Sequence, residues 1–275
     1  MQTNNNFETV LLKYTNNKSY LTHQELISLK SQFDSEQAFF DALLKWVSEY
    51  AIAPVSQFKV AALAIESGGE GRLFFGANLE FSNQALSLVV HAEQSAIHNA
   101  LLHGVDAIEK LVINASPCGY CRQFINEIQL DKQPLINVHG VEKTIQQYLP
   151  DAFGPSDLDN QAPLFSQSLT PCSDLNKYVK QSYAPYSGNF SACQIQNVNG
   201  HKYFGVYLEN AAYSPSLSPL QAALNQVQLH NRESGLQGIS EIVIKQTKGK
   251  ANQLGVANAV AMSIGSNVKV TIEEV

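Results

Sequence analysis

Two short stretches of this chain carry residue types that can do chemistry together, His91-Ala-Glu93 and Pro117-Cys118-Gly-Tyr-Cys121. Two thiolates and one imidazole make a three-ligand zinc site, and three protein ligands leave the fourth position open for water. A structural zinc would want a fourth protein ligand, and no nearby Cys or His offers itself. The pattern predicts that each stretch opens a helix, where the dipole favours the thiolate form that binds metal. On the side of a helix His91 and Glu93 would point apart. In a first turn both project off the end, one toward a metal and the other beside it as a proton shuttle for water. Taken alone, Cys-x-x-Cys suits a redox pair equally well, and His-x-Glu says almost nothing. Two alternatives therefore stand at this point: a redox cysteine pair beside a helix-capping glutamate, and a structural zinc completed by another residue.

The elements that must position these residues can be read from periodicity. Residues 22–50 read as two amphipathic helices, the first opened by the capping box Thr22-His-Gln-Glu25 and the second capped by Asp34. After Ala53-Pro54 breaks the helix, Phe58–Ile65 and Arg72–Glu80 read as a hairpin turning at Gly68-Gly-Glu-Gly71. A helix over His91–Leu102, a strand over Leu111–Ala115, a helix over Cys118–Ile128 and a strand over Leu135–Val138 follow. This order predicts an α/β fold of the three-layer α/β/α type. Residues 151–172, with Pro155, Pro163 and Pro171, read as a linker.

The second half repeats the first. Ala184-Pro-Tyr-Ser187 followed by Phe190 echoes Ala53-Pro-Val-Ser56 and Phe58, and Phe204-Gly205 through Glu209 echoes Phe75-Gly76 through Glu80. Ile239–Ile244 echoes Ile108–Ile113, with a helix over Leu220–His230 between. The expected organisation is an N-terminal helical segment (1–50), a catalytic domain (51–150), the linker (151–172) and a degenerate copy (173–275). Pro219-Leu-Gln221 stands opposite His91-Ala-Glu93, and Gln246-Thr-Lys-Gly249 follows the strand where the cysteines would lie. The candidate chemistry is thus confined to the first copy. Cys172, Cys193, His23, His98, His103, His139, His201 and His230 lack ligand-spaced partners and read as structural.

The chain has 275 residues, 24 acidic against 18 basic, for a net charge of −6. That balance repels a phosphate backbone and argues against nucleic-acid binding. The longest apolar run, Val60–Ile65, cannot span a bilayer, and Met1-Gln-Thr-Asn-Asn-Asn lacks the start of a secretory signal. A cytoplasmic, membrane-free protein is expected.

His-x-Glu followed by Pro-Cys-x-x-Cys is the zinc-deaminase signature, and the chain resembles the cytidine deaminase family, specifically its long, two-domain homodimeric branch. The resemblance rests on Val55-Ser-Gln-Phe58, Gly76-Ala-Asn78-Leu-Glu80-Phe81, His91-Ala-Glu93-Gln94-Ser95-Ala96, Pro117-Cys118-Gly-Tyr-Cys121-Arg122-Gln123 and Leu149-Pro-Asp-Ala-Phe153-Gly154-Pro155. It implies duplicated cytidine-deaminase-like domains, one Zn2+ per chain on His91, Cys118 and Cys121, and Glu93 as the catalytic acid–base. It also implies hydrolysis of cytidine and 2′-deoxycytidine to uridine and 2′-deoxyuridine with release of ammonia, in pyrimidine salvage, by a homodimer. Asn78 and Glu80 are expected at the sugar hydroxyls, chiefly the 3′-OH, and their i, i+2 spacing suits one face of a strand. Phe58 is expected against the pyrimidine, and Phe153 near the pocket, partly across the dimer interface. Arg122 reads as a helix-surface residue. A polynucleotide or nucleotide deaminase on the same fold and a zinc-stabilised, inactive dimerisation module are the competing readings.

Overall fold

A computed structural model describes residues 2–16, 18–128, 133–166, 169–265 and 268–275, the backbone alone for 2–6. The N-terminal segment forms helix α1 (Gln2–Tyr14), the short strand β1 (Tyr20–Leu21) and helices α2 (His23–Lys30) and α3 (Glu36–Val47). Thr22 and Glu25 close the expected capping box, while α3 is capped by Ser35 rather than Asp34: the Ser35 hydroxyl reaches the Ala38 N–H three residues on. Helix α1 was not anticipated, because Gln2-Thr-Asn-Asn-Asn6 is too polar to show a helical stripe.

The first copy follows as β2 (Ala61–Glu66), β3 (Leu73–Ala77), α4 (Ala92–Leu102), β4 (Ile108–Ile113), α5 (Gly119–Asn126), β5 (Leu135–Val138), β6 (Val141–Lys143) and α6 (Ile145–Tyr148). Its sheet has the order β1-β3-β2-β4-β5-β6, with β4 and β5 parallel and the other pairs antiparallel. Alternation along the strands serves two cores. Ala61, Leu63 and Phe75 face the α3 residues Phe39, Leu43 and Val47, whereas Ala62, Ala64 and Phe74 face Ala92, Ala96 and Ala100 of α4. The described residues of 151–172 include two short 3₁₀ turns (Pro155–Leu158 and Leu164–Ser166) and bury Leu164, Phe165 and Leu169.

The second copy comprises α7 (Leu175–Lys180), β7 (Ser191–Asn197), β8 (Lys202–Val206), α8 (Pro219–His230), β9 (Ile239–Gln246), α9 (Leu254–Ile264) and β10 (Lys269–Glu274). Its sheet, β10-β9-β7-β8, repeats the inner four strands of the first, including the parallel pair and a register shift at Gln196/Asn197 that matches the one at Ile65/Glu66. The duplication is therefore a duplication of fold. Helices α4 and α8 touch each other, and each also reaches the other copy's sheet.

Geometry shifts two of the sequence correspondences by one residue. Phe58 and Asn189 each donate a backbone N–H to the serine hydroxyl two residues before, so Asn189, not Phe190, holds the place of Phe58. The N-caps of α4 and α8 are His91 and Ser218, which puts Leu220, not Gln221, opposite Glu93.

The approach of α4 to its sheet requires a glycine. A Cβ on Gly76 would lie 2.2 Å from the Ala92 carbonyl oxygen and 2.4 Å from the Ala96 nitrogen, and Gly205 meets α8 in the same way. Gly76→Ala is expected to cost about 3 kcal/mol by overpacking. Thermal unfolding checks this; an unchanged midpoint would contradict such close contact.

Candidate active site

Each functional stretch begins a helix. His91 is the N-cap of α4 with extended backbone, its N–H held by the Gln94 side chain at 3.0 Å. Cys118 is the N-cap of α5, and Cys121 lies in its first turn. Because α4 and α5 pack on the same side of the sheet, their N-termini converge. The Cys118 and Cys121 sulfurs are 3.5 Å apart, Cys118 Sγ is 3.6 Å from His91 Nδ1, and all three donor atoms lie within 4.8 Å of one another. Tetrahedral zinc, with bonds of about 2.3 Å to sulfur and about 2.0 Å to nitrogen, spaces its ligand atoms by about 3.5–3.8 Å. The donor set fits. Among the described residues no fourth Cys, His, Asp or Glu donor joins this group, and the cysteines are free thiols. Those facts weigh against a closed structural site and against a disulfide.

The electrostatics are those of a site built for a cation. A hydrogen bond from Cys121 and the neighbouring His91 hold the Cys118 thiol down to about 3, against the pull of its own burial. Burial pushes the Cys121 thiol far up, and the Cys118 and Glu93 charges add to this. Burial alone would lower His91, but its bond to Cys118 and the Cys118 and Glu93 charges leave it raised. Glu93, only 3% exposed in the first turn of α4, is pushed up by burial. Two buried groups that resist ionisation beside a thiolate and an imidazole are stabilised by a divalent ion. Arg122 supports the cysteine loop: Nε donates to the Pro117 carbonyl at 2.9 Å and Nη1 to the Tyr148 carbonyl at 3.0 Å.

These groups sit in a cleft of about 420 Å³ whose lining includes Phe58, Asn78, Glu80, His91, Glu93, Cys118 and Cys121. Phe58 is 60% exposed at its mouth. Asn78 is tied to the scaffold, Oδ1 accepting from the Val60 N–H and Nδ2 donating to the Phe58 carbonyl. The Glu80 carboxylate accepts from the Val55 and Ser56 N–H groups and the Ser56 hydroxyl, and Glu209 makes the same three bonds to Tyr186 and Ser187. That shared bonding makes Glu80 a turn clamp inherited by both copies, whereas Asn78 faces Tyr207 in the second copy and belongs to the first alone. Phe153 is not among the residues lining this cleft; it is 48% exposed and its carbonyl is held by Gln123 at 2.6 Å. Phe81, the last residue of the Gly76–Phe81 motif, also lines the cleft, as do Ser116, Leu86 and Val89, which no sequence motif included. Ser116 abuts Pro117-Cys118, a signal that was there to read.

A family model for the cytidine and deoxycytidylate deaminase zinc-binding region matches residues 34–136, and a second with the same description matches residues 145–258. The chain belongs to the cytidine deaminase family. A cytidine deaminase of Actinobacillus pleuropneumoniae serotype 5b is 44% identical over 230 residues, covering 80% of this chain and 76% of that one. One from Vibrio parahaemolyticus is 36% identical over 262 residues, covering 92% and 87%. A crystal structure of cytidine deaminase from Mycobacterium tuberculosis matches 44% of this chain and 99% of that chain at 28% identity, with a TM-score of 0.38. As a member of the family the chain is a zinc-dependent hydrolase, and its two fused deaminase domains fit the long branch. Among the described residues no helix is long and apolar enough to cross a membrane.

Proposed function

We propose that this chain hydrolyses cytidine and 2′-deoxycytidine to uridine and 2′-deoxyuridine with release of ammonia, as a cytoplasmic homodimer in pyrimidine salvage. The observation that carries the reading is a buried carboxylate, Glu93, at the floor of one cleft with the three metal donors. His91, Cys118 and Cys121 would hold the zinc, which supplies the Lewis acidity that makes water a nucleophile at neutral pH. Glu93 takes a proton from the attacking water, gives it to ring N3, and later passes one to the departing ammonia. Phe58 lies against the pyrimidine, and Asn78 and Glu80 receive the sugar hydroxyls. Phe153, exposed outside this chain's own cleft, is free to serve a partner protomer's. The hydrogen bonds to Glu80 outweigh its burial and hold its carboxyl below the usual range, so it stays charged at neutral pH. A charged Glu80 beside the 3′-OH repels a following phosphate, which favours free nucleosides over oligonucleotides.

The purified protein is expected to sediment as a dimer with one zinc per chain. It should consume cytidine, followed by ultraviolet absorbance, at least about 100-fold faster than a cytosine-containing oligonucleotide. Equal rates on both would overturn the nucleoside reading; zinc without turnover of either would support the inactive module instead.

A further inference from the structure

Helix α8 belongs to the copy that has lost the metal ligands, and it is buried along its whole length except at His230. A buried helix is ordinarily apolar, yet this one carries Gln221, Asn225 and Gln228 at i, i+4 and i+7, one stripe of the helix. All three reach into the first copy. Gln221 Nε2 donates to the Leu88 carbonyl, the end of a 3₁₀ turn (Leu86–Leu88) whose first residue, Leu86, lines the cleft together with Val89 just beyond it. Asn225 Nδ2 donates to the Ala77 carbonyl at 3.0 Å, while its Oδ1 accepts from Ser95, the same hydroxyl that takes the Ala77 N–H. Gln228 Nε2 donates to the Asn78 carbonyl at 2.8 Å and the Tyr50 carbonyl at 2.6 Å, and its Oε1 accepts from Asn225 at 2.9 Å.

The traffic in the other direction is smaller. Gln94 donates to the Pro215 carbonyl at 2.7 Å, the mirror of Gln221 on Leu88, and His98 accepts the Val206 N–H at 3.2 Å where Asn225 holds Ala77. In the register set by the two N-caps, Gln228 falls opposite Leu101, which has no polar group to offer. The bonds to Asn78 and Tyr50 thus exist only on the side that faces the catalytic cleft.

We propose that α8 of the second copy is a template for the sugar-facing strand of the cleft, with Gln228 as the positioning residue that sets Asn78 and, through it, Glu80. The inference rests on the sugar-binding role proposed above. Residues 77–80 run on from the end of β3 as single bridges rather than a continuous ladder: Ile52 donates its N–H to the Asn78 carbonyl at 3.1 Å and accepts from the Glu80 N–H at 2.8 Å, Asn78 donates its N–H to the Val60 carbonyl, and Leu79 exchanges bonds with Val90. The second copy adds a donor at the Ala77 carbonyl and a second one at the Asn78 carbonyl, which accounts for its retention of this helix without any catalytic group.

The test is Gln228→Met, close in volume and lacking both donors. It should raise KM for cytidine about tenfold, with kcat within about twofold and zinc content unchanged. For 3′-deoxycytidine, which lacks the hydroxyl at issue, KM (or Ki against cytidine) should change less than about twofold. Exchange of the amides of residues 75–82, read by mass spectrometry without substrate, should quicken at least about fivefold. Gln226→Leu, on another side of α8, should leave every readout at wild type. Where Gln228→Met does not accumulate, Gln228→Asn retracts the amide by one methylene and should give the same split. An equal rise in KM for both nucleosides, a fall in kcat that tracks lost zinc, or unchanged exchange would overturn the proposal. Wild-type protein inert toward cytidine would instead overturn the proposed function.

Discussion

Glu93→Gln leaves a folded, zinc-loaded protein whose kcat/KM for cytidine falls about 10⁴-fold, the upper end of what a positioned general acid–base contributes. The amide has the carboxylate's shape and fills the same buried niche in the first turn of α4, so neither the helix cap at His91 nor the cysteine loop is disturbed. It cannot exchange a proton. Both the activation of water and the departure of ammonia lose their carrier, and kcat falls nearly in parallel with kcat/KM while KM stays within a few-fold of wild type. Loss of cytidine absorbance in stopped assays, with zinc measured in the same preparation, reads the outcome. Wild-type turnover by the variant would remove Glu93 from the mechanism.

Removing zinc by dialysis against a chelator is expected to abolish turnover and to lower the unfolding midpoint by about 10 °C, and re-addition of zinc should restore both. The first effect follows from the loss of the Lewis acid. The second follows from linkage: an ion held by the folded donor set alone stabilises that fold by about 4 kcal/mol at a free concentration a thousandfold above its dissociation constant. In a domain of this size that shifts the midpoint by several degrees per two kcal/mol. Without the ion, Cys121 and Glu93 stand buried side by side next to the Cys118 thiolate, and the anionic donors gathered at the N-termini of α4 and α5 lose the cation that neutralises them. Scanning calorimetry on the metal-free and reconstituted protein checks this. A metal-free protein that melts with the reconstituted one would show that the donors are not joined by an ion in solution.

The chemistry of the site was largely legible in the sequence because each half of it is local. The His91-x-Glu93 and Cys118-x-x-Cys121 spacings place their side chains at the first turn of a helix wherever that helix sits, and capping geometry needs only three or four residues to act. The α/β alternation and the repeat were legible for the same reason, as hydrophobic periods and turn residues are written into short windows. The one-residue error at Asp34 against Ser35 fell where two adjacent residues could both cap and only the backbone angle chooses between them, and setting Pro219 opposite His91 missed by one because the cap is Ser218, with the proline as the first helical residue.

Other features depended on residues far apart in the chain. Glu80 clamps a turn 24 residues earlier, a bond that its spacing from Asn78 could not announce. Phe153 lies outside the cleft of its own chain. Gln228 meets Asn78 across 150 residues, and in sequence it is one more glutamine in a helix. Whether a buried amide has a partner is settled only when two helices and two sheets close on each other. Sequence thus sufficed for the identity and local spacing of the reacting groups, which bonds within a few residues govern. The convergence of the two helix ends and the hold of the inactive copy on the active one came from long-range packing, where a polar side chain is tolerated only if the fold delivers its partner.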